Sequence, residues 1–277
     1  MASRYWENRT LGCGRACNPP AIGRSRLAMM TYPERKAPVV PQVALFFGES
    51  HVDAVLSALK GRSDERFRAL NLGHIKYPIE PSVFDHDLFR RTLAPSEDRD
   101  CLYISMVGGN DHNILGLLQP QRSFDFILPE EPELPMEPGS ECQTYGYVLA
   151  SLKQLMSSTF SLLRAARAAV PDSMVQLEPP PPISDNEYIR KNLDEHIFDA
   201  RPELSVSSPL LRYKLWRAHS ELMRETCAGL GIRYVNVPTN ALSEGRFLRA
   251  DLYANPTHAN GLYGEMLLSQ VAGMTMT

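Results

Sequence analysis

The sequence lacks the features that mark several broad classes of protein. It contains no run of about 18 apolar residues, the length a membrane-spanning helix needs, so we expect no transmembrane segment. Neither sign of charge dominates, because the chain has 29 Lys and Arg residues and 32 Asp and Glu residues, for a net charge of −3. Proteins that bind nucleic acid or an anionic membrane surface carry a basic excess or stripe. We therefore expect no nucleic-acid partner.

Cysteine is also scarce. The five cysteines are an odd number without the spacing of a disulfide framework. Cys13 and Cys17 lie close together, but no second Cys or His pair completes a zinc site, so we expect reduced thiols and no metal. The first residues include arginines but no continuous apolar segment, so we expect no secretory signal and a cytoplasmic location.

The chain divides by composition into two parts. Residues 1–38 are rich in Arg, Pro, Gly and Cys and show neither helical nor strand periodicity, which predicts a flexible leader. From residue 39 onward apolar runs and amphipathic stretches alternate as far as the end of the chain. Residues 39–277 are therefore predicted to form a single α/β domain.

Within this domain the apolar pattern predicts strands followed by helices. Strands are expected at 39–47, 67–72, 101–107, 173–177 and 233–237, and helices at 51–60, 145–169, 211–228 and 260–271. Strands that alternate with helices indicate a parallel sheet with helices on both faces. Ligands of such folds bind at the carboxyl ends of the strands. The proline-rich or polar insertions at 76–99, 120–143 and 179–209 are expected to shape the pocket.

Polar or glycine-bearing motifs follow three of the predicted strands. Ser50 comes after the first strand and opens a helix, which makes its hydroxyl either a helix cap or an exposed nucleophile. Gly73 and Asn110 follow the second and third strands, and a glycine N–H and an asparagine amide are suitable donors to an oxyanion. His258 lies on a turn just before the last predicted helix.

Together these segments resemble the four blocks of the SGNH (GDSL-type) hydrolases. The blocks read GESH, NLGH, GGND and NPTH, and the resemblance spans roughly residues 43–271. It implies a flavodoxin-like three-layer α/β/α sandwich with a parallel central sheet. It also implies a serine esterase, acyl hydrolase or acyltransferase that forms an acyl-serine intermediate from a small-molecule ester or thioester, without metal or organic cofactor.

The resemblance also assigns roles to individual residues. Ser50 would be the nucleophile and His258 the general base. The oxyanion hole would consist of the backbone N–H of Ser50, Gly73 and Asn110. His51 and His112 flank this predicted site and are candidates for substrate binding.

Two residues depart from the family pattern. Glu49 stands where the family has Asp, a change that adds one methylene. Asn255 stands where the family has the Asp that orients the histidine, and an amide carries no charge. Three interpretations stay open: a dyad helped by Asn255 or a carbonyl, a substitute carboxylate such as Asp251, or an impaired site.

The alternatives to a hydrolase come from other classes. The loss of the usual Asp at position 255 favours a non-catalytic binding or accessory protein on the same fold. A nucleotide-binding protein of the Rossmann type is disfavoured, because no G-x-G-x-x-G follows the first strand. The identity of the substrate, the choice between hydrolysis and transfer and the oligomeric state stay open.

Overall fold

The computed structural model describes residues 43–74, 91, 93, 101–119, 123–170, 174–193 and 204–275. The predicted leader, 1–38, lies outside the described residues, as do 39–42 of the first predicted strand and most of the 76–99 insertion. Within the described ranges, each helix is too short or too polar to cross a bilayer.

Five parallel strands form the central sheet, as predicted. They are β1 (Val43–Gly48), β2 (Phe67–Asn71), β3 (Cys101–Met106), β4 (Met174–Leu177) and β5 (Arg233–Val235). The strand order is β2-β1-β3-β4-β5, and every neighbouring pair is parallel. This is the flavodoxin-like order, in which the chain reverses its direction of winding between β1 and β3. A crevice for a ligand is therefore expected at the carboxyl ends of these two strands.

Helices cover both faces of the sheet. They are α1 (Asp53–Leu59), α2 (Asp111–Gly116), α3 (Tyr145–Leu155), α4 (Ser157–Ala169), α5 (Asn186–Asn192), α6 (Pro209–Gly229) and α7 (Gly261–Thr275). Successive residues of β1 point to opposite faces, so Phe46 packs with α1 and α7 while Phe47 packs with α3, α4 and α6. Because both faces of the strand are buried, β1 is apolar at successive positions.

The single helix predicted over 145–169 is divided in two. Met156 separates α3 from α4, with φ −77° and ψ 5°, which lies outside the α-helical region. Hydrogen bonds from Met156 N–H to Leu152 and from Phe160 N–H to Met156 continue across the break. The Met156 side chain is fully buried, so packing decides the local backbone here and the apolar stripe alone does not reveal it.

Short antiparallel pairs outside the main sheet were not predicted. One of them joins Tyr253–Asn255 to His258–Ala259 just before α7. Strands of two or three residues are too short to show an alternating apolar pattern, which is why sequence reasoning missed this hairpin.

Side chains of helix α6 form hydrogen bonds to the segment that follows β4. The guanidinium of Arg212 is buried and donates to the carbonyl of Ile183 at 2.8 Å and to Oδ1 of Asn186 at 2.8 Å. The indole N–H of Trp216 donates to the carbonyl of Pro179 at 3.1 Å. These bonds hold the four-proline run that begins at Pro179 beside the carboxyl ends of the strands.

Candidate active site

Ser50 lies at the carboxyl end of β1, in a short 3-10 turn that precedes α1. Gly48 ends the strand, and a Cβ at this position would lie only 2.6 Å from the carbonyl oxygen of Met106 on β3. Glycine is therefore required for the two strands to approach this closely. Val52, not Ser50, is the N-cap residue of α1, so the helix-cap interpretation of Ser50 is wrong. The Ser50 side chain is exposed and available for chemistry.

The hydroxyl of Ser50 meets the imidazole of His258 across 208 residues of sequence. Nε2 of His258 lies 2.7 Å from Oγ of Ser50. This distance is within the hydrogen-bond reach that a general base needs to take a proton from a nucleophile. The structure thus brings together the two residues that the sequence blocks paired.

The other ring nitrogen of His258 is held by the turn of the hairpin. Nδ1 lies 2.9 Å from Oδ1 of Asn255 and 2.9 Å from Oγ1 of Thr257. The backbone N–H of Thr257 donates to the same Oδ1 at 3.0 Å. Because a backbone N–H can only donate, the Asn255 amide must present its oxygen to both groups. Nδ1 therefore carries the proton, and Nε2 offers its lone pair to Ser50.

The carboxylates of Asp251 and Asp53 have different partners. That of Asp251 accepts two bonds from Arg249, at 3.1 and 2.6 Å, whereas Nδ1 of His258 contacts Asn255. Asp53 accepts from Nδ2 of Asn71 at 2.6 Å, and its charge favours protonated His258. Burial has the larger effect, however, and lowers the pKa of His258 below its ordinary value of 6.5.

Two of the three predicted oxyanion donors, Gly73 and Asn110, differ in their present bonding. The backbone N–H of Gly73 donates to Oδ1 of Asn71 at 2.8 Å, so it is engaged in this conformation. Asn110 accepts a bond from Nδ2 of Asn113 on its own Oδ1 at 2.9 Å. That bond leaves the amide NH2 of Asn110, among the described residues, as the group that can donate to a substrate.

His51 and His112 are both buried and face protein instead of an open pocket. The ring of His51 packs on the ring of His258, with centroids 4.8 Å apart, and burial together with nearby His258 lowers its pKa to about 3. Gly109 has φ +108°, and a Cβ there would lie 2.9 Å from the His51 ring. His112 packs against His219 at 5.3 Å. His51 therefore contacts the predicted base, His258. His112 contacts His219 instead.

A recess beside His258 is otherwise lined by uncharged side chains. Its walls come from the four-proline run, from the hairpin turn, from α2 and from Leu248; they include Asn113, Pro182, Ile183 and Thr257. In the part of the chain that the structure describes, no three His, Cys, Asp or Glu side chains come together as a metal site.

Sequence reasoning missed three residues of this arrangement: Asp53, Asn71 and Thr257. Asn71 ends β2 just before Gly73, so its polar side chain at a strand end was a usable signal. Thr257 follows Asn255 and Pro256, and an Asn-Pro pair indicates a turn in which the Asn side chain bonds the backbone two residues on. Asp53 lies in the first turn of α1 and carries no distinguishing signal.

Comparison with known proteins gives structural neighbours only. No protein-family model and no curated protein matches the chain. Similar solved structures include a GDSL-like lipase from Bacteroides thetaiotaomicron, with 10% identity over 85% of this chain and 88% of that chain and a TM-score of 0.39. A carbohydrate acetylesterase from Sinorhizobium meliloti has 12% identity over 84% and 99%, with a TM-score of 0.36. An M. smegmatis aryl esterase has 15% identity over 84% and 99%, with a TM-score of 0.37.

Proposed function

We propose that this protein is an SGNH-type serine hydrolase that acts on an acyl ester or thioester through an acyl-Ser50 intermediate. The observation that carries the proposal is the 2.7 Å contact between Oγ of Ser50 and Nε2 of His258, at the carboxyl end of β1. A serine is a weak nucleophile at neutral pH and needs an adjacent base of this kind.

In the proposed reaction, Nε2 of His258 takes the hydroxyl proton as Oγ of Ser50 bonds to the acyl carbon. The tetrahedral oxyanion accepts hydrogen bonds from the Ser50 N–H and the Asn110 amide, with Gly73 joining when Asn71 releases its N–H. Collapse breaks the bond to the leaving oxygen or sulfur, which takes the proton from His258. Water, or an acceptor alcohol in a transfer reaction, then attacks the acyl carbon with His258 again as base; the bond to Oγ of Ser50 breaks, and Oγ takes the proton back from His258.

Asn255 supports this chemistry in spite of its neutrality. In a serine-protease example, an Asn in the corresponding place leaves the imidazole in the wrong tautomer and costs about 10⁴ in kcat. Here the Thr257 N–H directs the amide oxygen toward Nδ1, which favours the useful tautomer. What Asn255 does not supply is a negative charge for the imidazolium that forms during the reaction.

The proposal is tested by labelling the nucleophile. A fluorophosphonate should form an adduct that mass spectrometry locates on Ser50, and Ser50→Ala should take no label. Because the nucleophile is removed, the variant should lose at least about 10⁴-fold in hydrolysis of a p-nitrophenyl ester. Its melting temperature should stay nearly unchanged, since the Ser50 side chain is exposed. Wild-type turnover in Ser50→Ala would overturn the acyl-enzyme mechanism.

A second candidate is a non-catalytic binding protein on the same fold. It is favoured by the neutral Asn255 and by the Gly73 N–H, which is already engaged by Asn71. A binding protein would leave Ser50 unlabelled by the fluorophosphonate and would release no p-nitrophenol. Labelling at Ser50 rules this candidate out.

A further inference from the structure

A small cavity lies next to His51, at the carboxyl ends of strands β3 and β4. Its volume is about 10 Å³, and its walls include Val107 and Gly108 after β3 and Gln176 and Glu178 at the end of β4. A volume of roughly 10–15 Å³ is what one buried water requires. The cavity is therefore matched in size to a single water.

Among the residues that the structure describes, three that line this cavity each carry a buried polar atom without a hydrogen-bond partner. The atoms are Nε2 of His51, Oε1 of Gln176 and Oε1 of Glu178, on residues that are 6%, 1% and 5% exposed. Buried polar atoms in proteins are almost always hydrogen-bonded, because their desolvation is otherwise uncompensated. Three residues with such atoms line this one cavity, which points to a polar ligand inside it.

The other side-chain polar atoms of Gln176 and Glu178 already form hydrogen bonds, which leaves one oxygen of each for a ligand. Nε2 of Gln176 donates to the carbonyls of Leu177 at 2.8 Å and Val107 at 3.3 Å. Oε2 of Glu178 accepts from the backbone N–H of Val237 at 3.1 Å.

The chemistry of the lining selects the ligand. The ligand must donate to two oxygens and make a third hydrogen bond to an imidazole nitrogen. A water molecule does this with its two protons and one lone pair, and three bonds are usual for a buried water. An anion is excluded, because two of the three groups are oxygen acceptors.

We propose that this cavity binds one structural water, and that Glu178 acts through it to position His51 against the ring of His258. His51 contacts His258 on one side, with ring centroids 4.8 Å apart, and the Gly109 backbone that leads into Asn110 on another. Holding its ring steady therefore supports both the base and a predicted oxyanion donor. The positioning role rests on the proposed function, whereas the water site does not.

The water site is tested by a high-resolution crystal structure of the wild-type protein. An ordered peak should lie about 2.6–3.2 Å from His51 Nε2, Gln176 Oε1 and Glu178 Oε1. The peak should be lost in Glu178→Met, or in Gln176→Met should the first variant fail to fold. A dry cavity in the wild type, or one closed by rotated side chains, would overturn the site whatever the enzyme's activity.

The positioning role is tested by a double-mutant cycle on p-nitrophenyl ester hydrolysis. Glu178→Met should lower kcat about tenfold with KM within about twofold, while Glu178→Gln, which can still bond the water, should stay within about threefold. His51→Phe keeps a flat ring but has no nitrogen. In that background, Glu178→Met should lower kcat further by less than about twofold. A full tenfold further loss there would show that Glu178 does not act through His51.

Controls separate this inference from the proposed function. Glu187→Gln changes an exposed carboxylate on α5 that pairs with Lys191, and it should leave both kcat and unfolding unchanged. The same cycle measured by denaturant unfolding should show coupling between Glu178 and His51 without any substrate. If Ser50 takes no label while that coupling and the water peak are found, the proposed function fails and the water site stands.

Discussion

The two partners of the proposed catalytic pair reach the site by different structural means. Ser50 follows β1, and Asn110 follows β3, so the order of strands in the sheet determines where both side chains lie. His258 follows no strand of that sheet. It lies on a short hairpin, where bonds to Asn255 and Thr257 set the direction of its ring.

Because of this difference, substitutions have unequal effects on the nucleophile side, at the strand ends that carry Ser50 and Asn110, and on the base side, in the hairpin that carries His258. On the nucleophile side Gly48 and Gly109 leave no room for a Cβ, so substitutions there disturb the backbone that carries Ser50 and Asn110. On the base side Asn255 is exposed, and changing its side chain leaves the core intact. Substitutions in the hairpin therefore report on chemistry more directly than substitutions at the strand ends.

The largest expected effect in this comparison is on the nucleophile side. Asn110→Ala removes the amide that we expect to donate to the oxyanion, and loss of one such donor costs about 10²–10³ in kcat. Steady-state kinetics with an activated ester should show this loss with little change in KM. A rise in KM alone would instead place Asn110 in substrate binding.

A smaller and opposite effect is expected on the base side. Asn255→Asp keeps the oxygen that accepts from His258 and adds a charge that stabilises the imidazolium, so kcat should rise about tenfold, or roughly 1.4 kcal/mol of barrier. Asn255→Ala should lower kcat, because the ring then loses the oxygen that accepts from Nδ1 and keeps only the contact with Thr257.

Two substitutions serve as controls for Asn255. Asp251→Ala should leave the rate unchanged, since its carboxylate is bonded to Arg249. Thr257→Val keeps the backbone N–H that directs the amide and should cost no more than about threefold. A large loss in Asp251→Ala, with no gain in Asn255→Asp, would make Asp251 the orienting group.

The smallest expected effect is a shift in pH dependence. His258 must be neutral to act as base, and burial lowers its pKa below 6.5, so kcat/KM should rise with pH to a plateau with its midpoint below 6.5. Asp53 favours the protonated form, so Asp53→Asn should move this midpoint to lower pH, and Asn255→Asp should move it to higher pH. Midpoints that shift the other way would contradict the assignment of His258 as the titrating group.

Much of the sheet and its helices could be predicted from local pattern. The apolar runs of β1 and β3 reflect burial on both faces, and the apolar stripe of α3 reflects burial on one side, so the local apolar pattern reveals them. The break at Met156 and the hairpin before α7 could not be predicted in this way. Both depend on packing and hydrogen bonds between segments, which leave no period in a short stretch.

The same distinction between local pattern and contacts in the folded chain applies to the candidate site. The sequence by itself determined which residues are candidates, because Ser50, Gly73 and Asn110 each follow a strand and strand ends of a parallel sheet meet at one edge. Only the tertiary structure decided that Asn255 and not Asp251 faces His258, that Gly73 is bonded to Asn71, and that His51 packs behind the base. The first two contacts, at 2.9 and 2.8 Å, depend on the exact backbone geometry of a turn and a strand end, and the third brings together rings from opposite ends of the domain, with centroids 4.8 Å apart; residue types alone specify none of them.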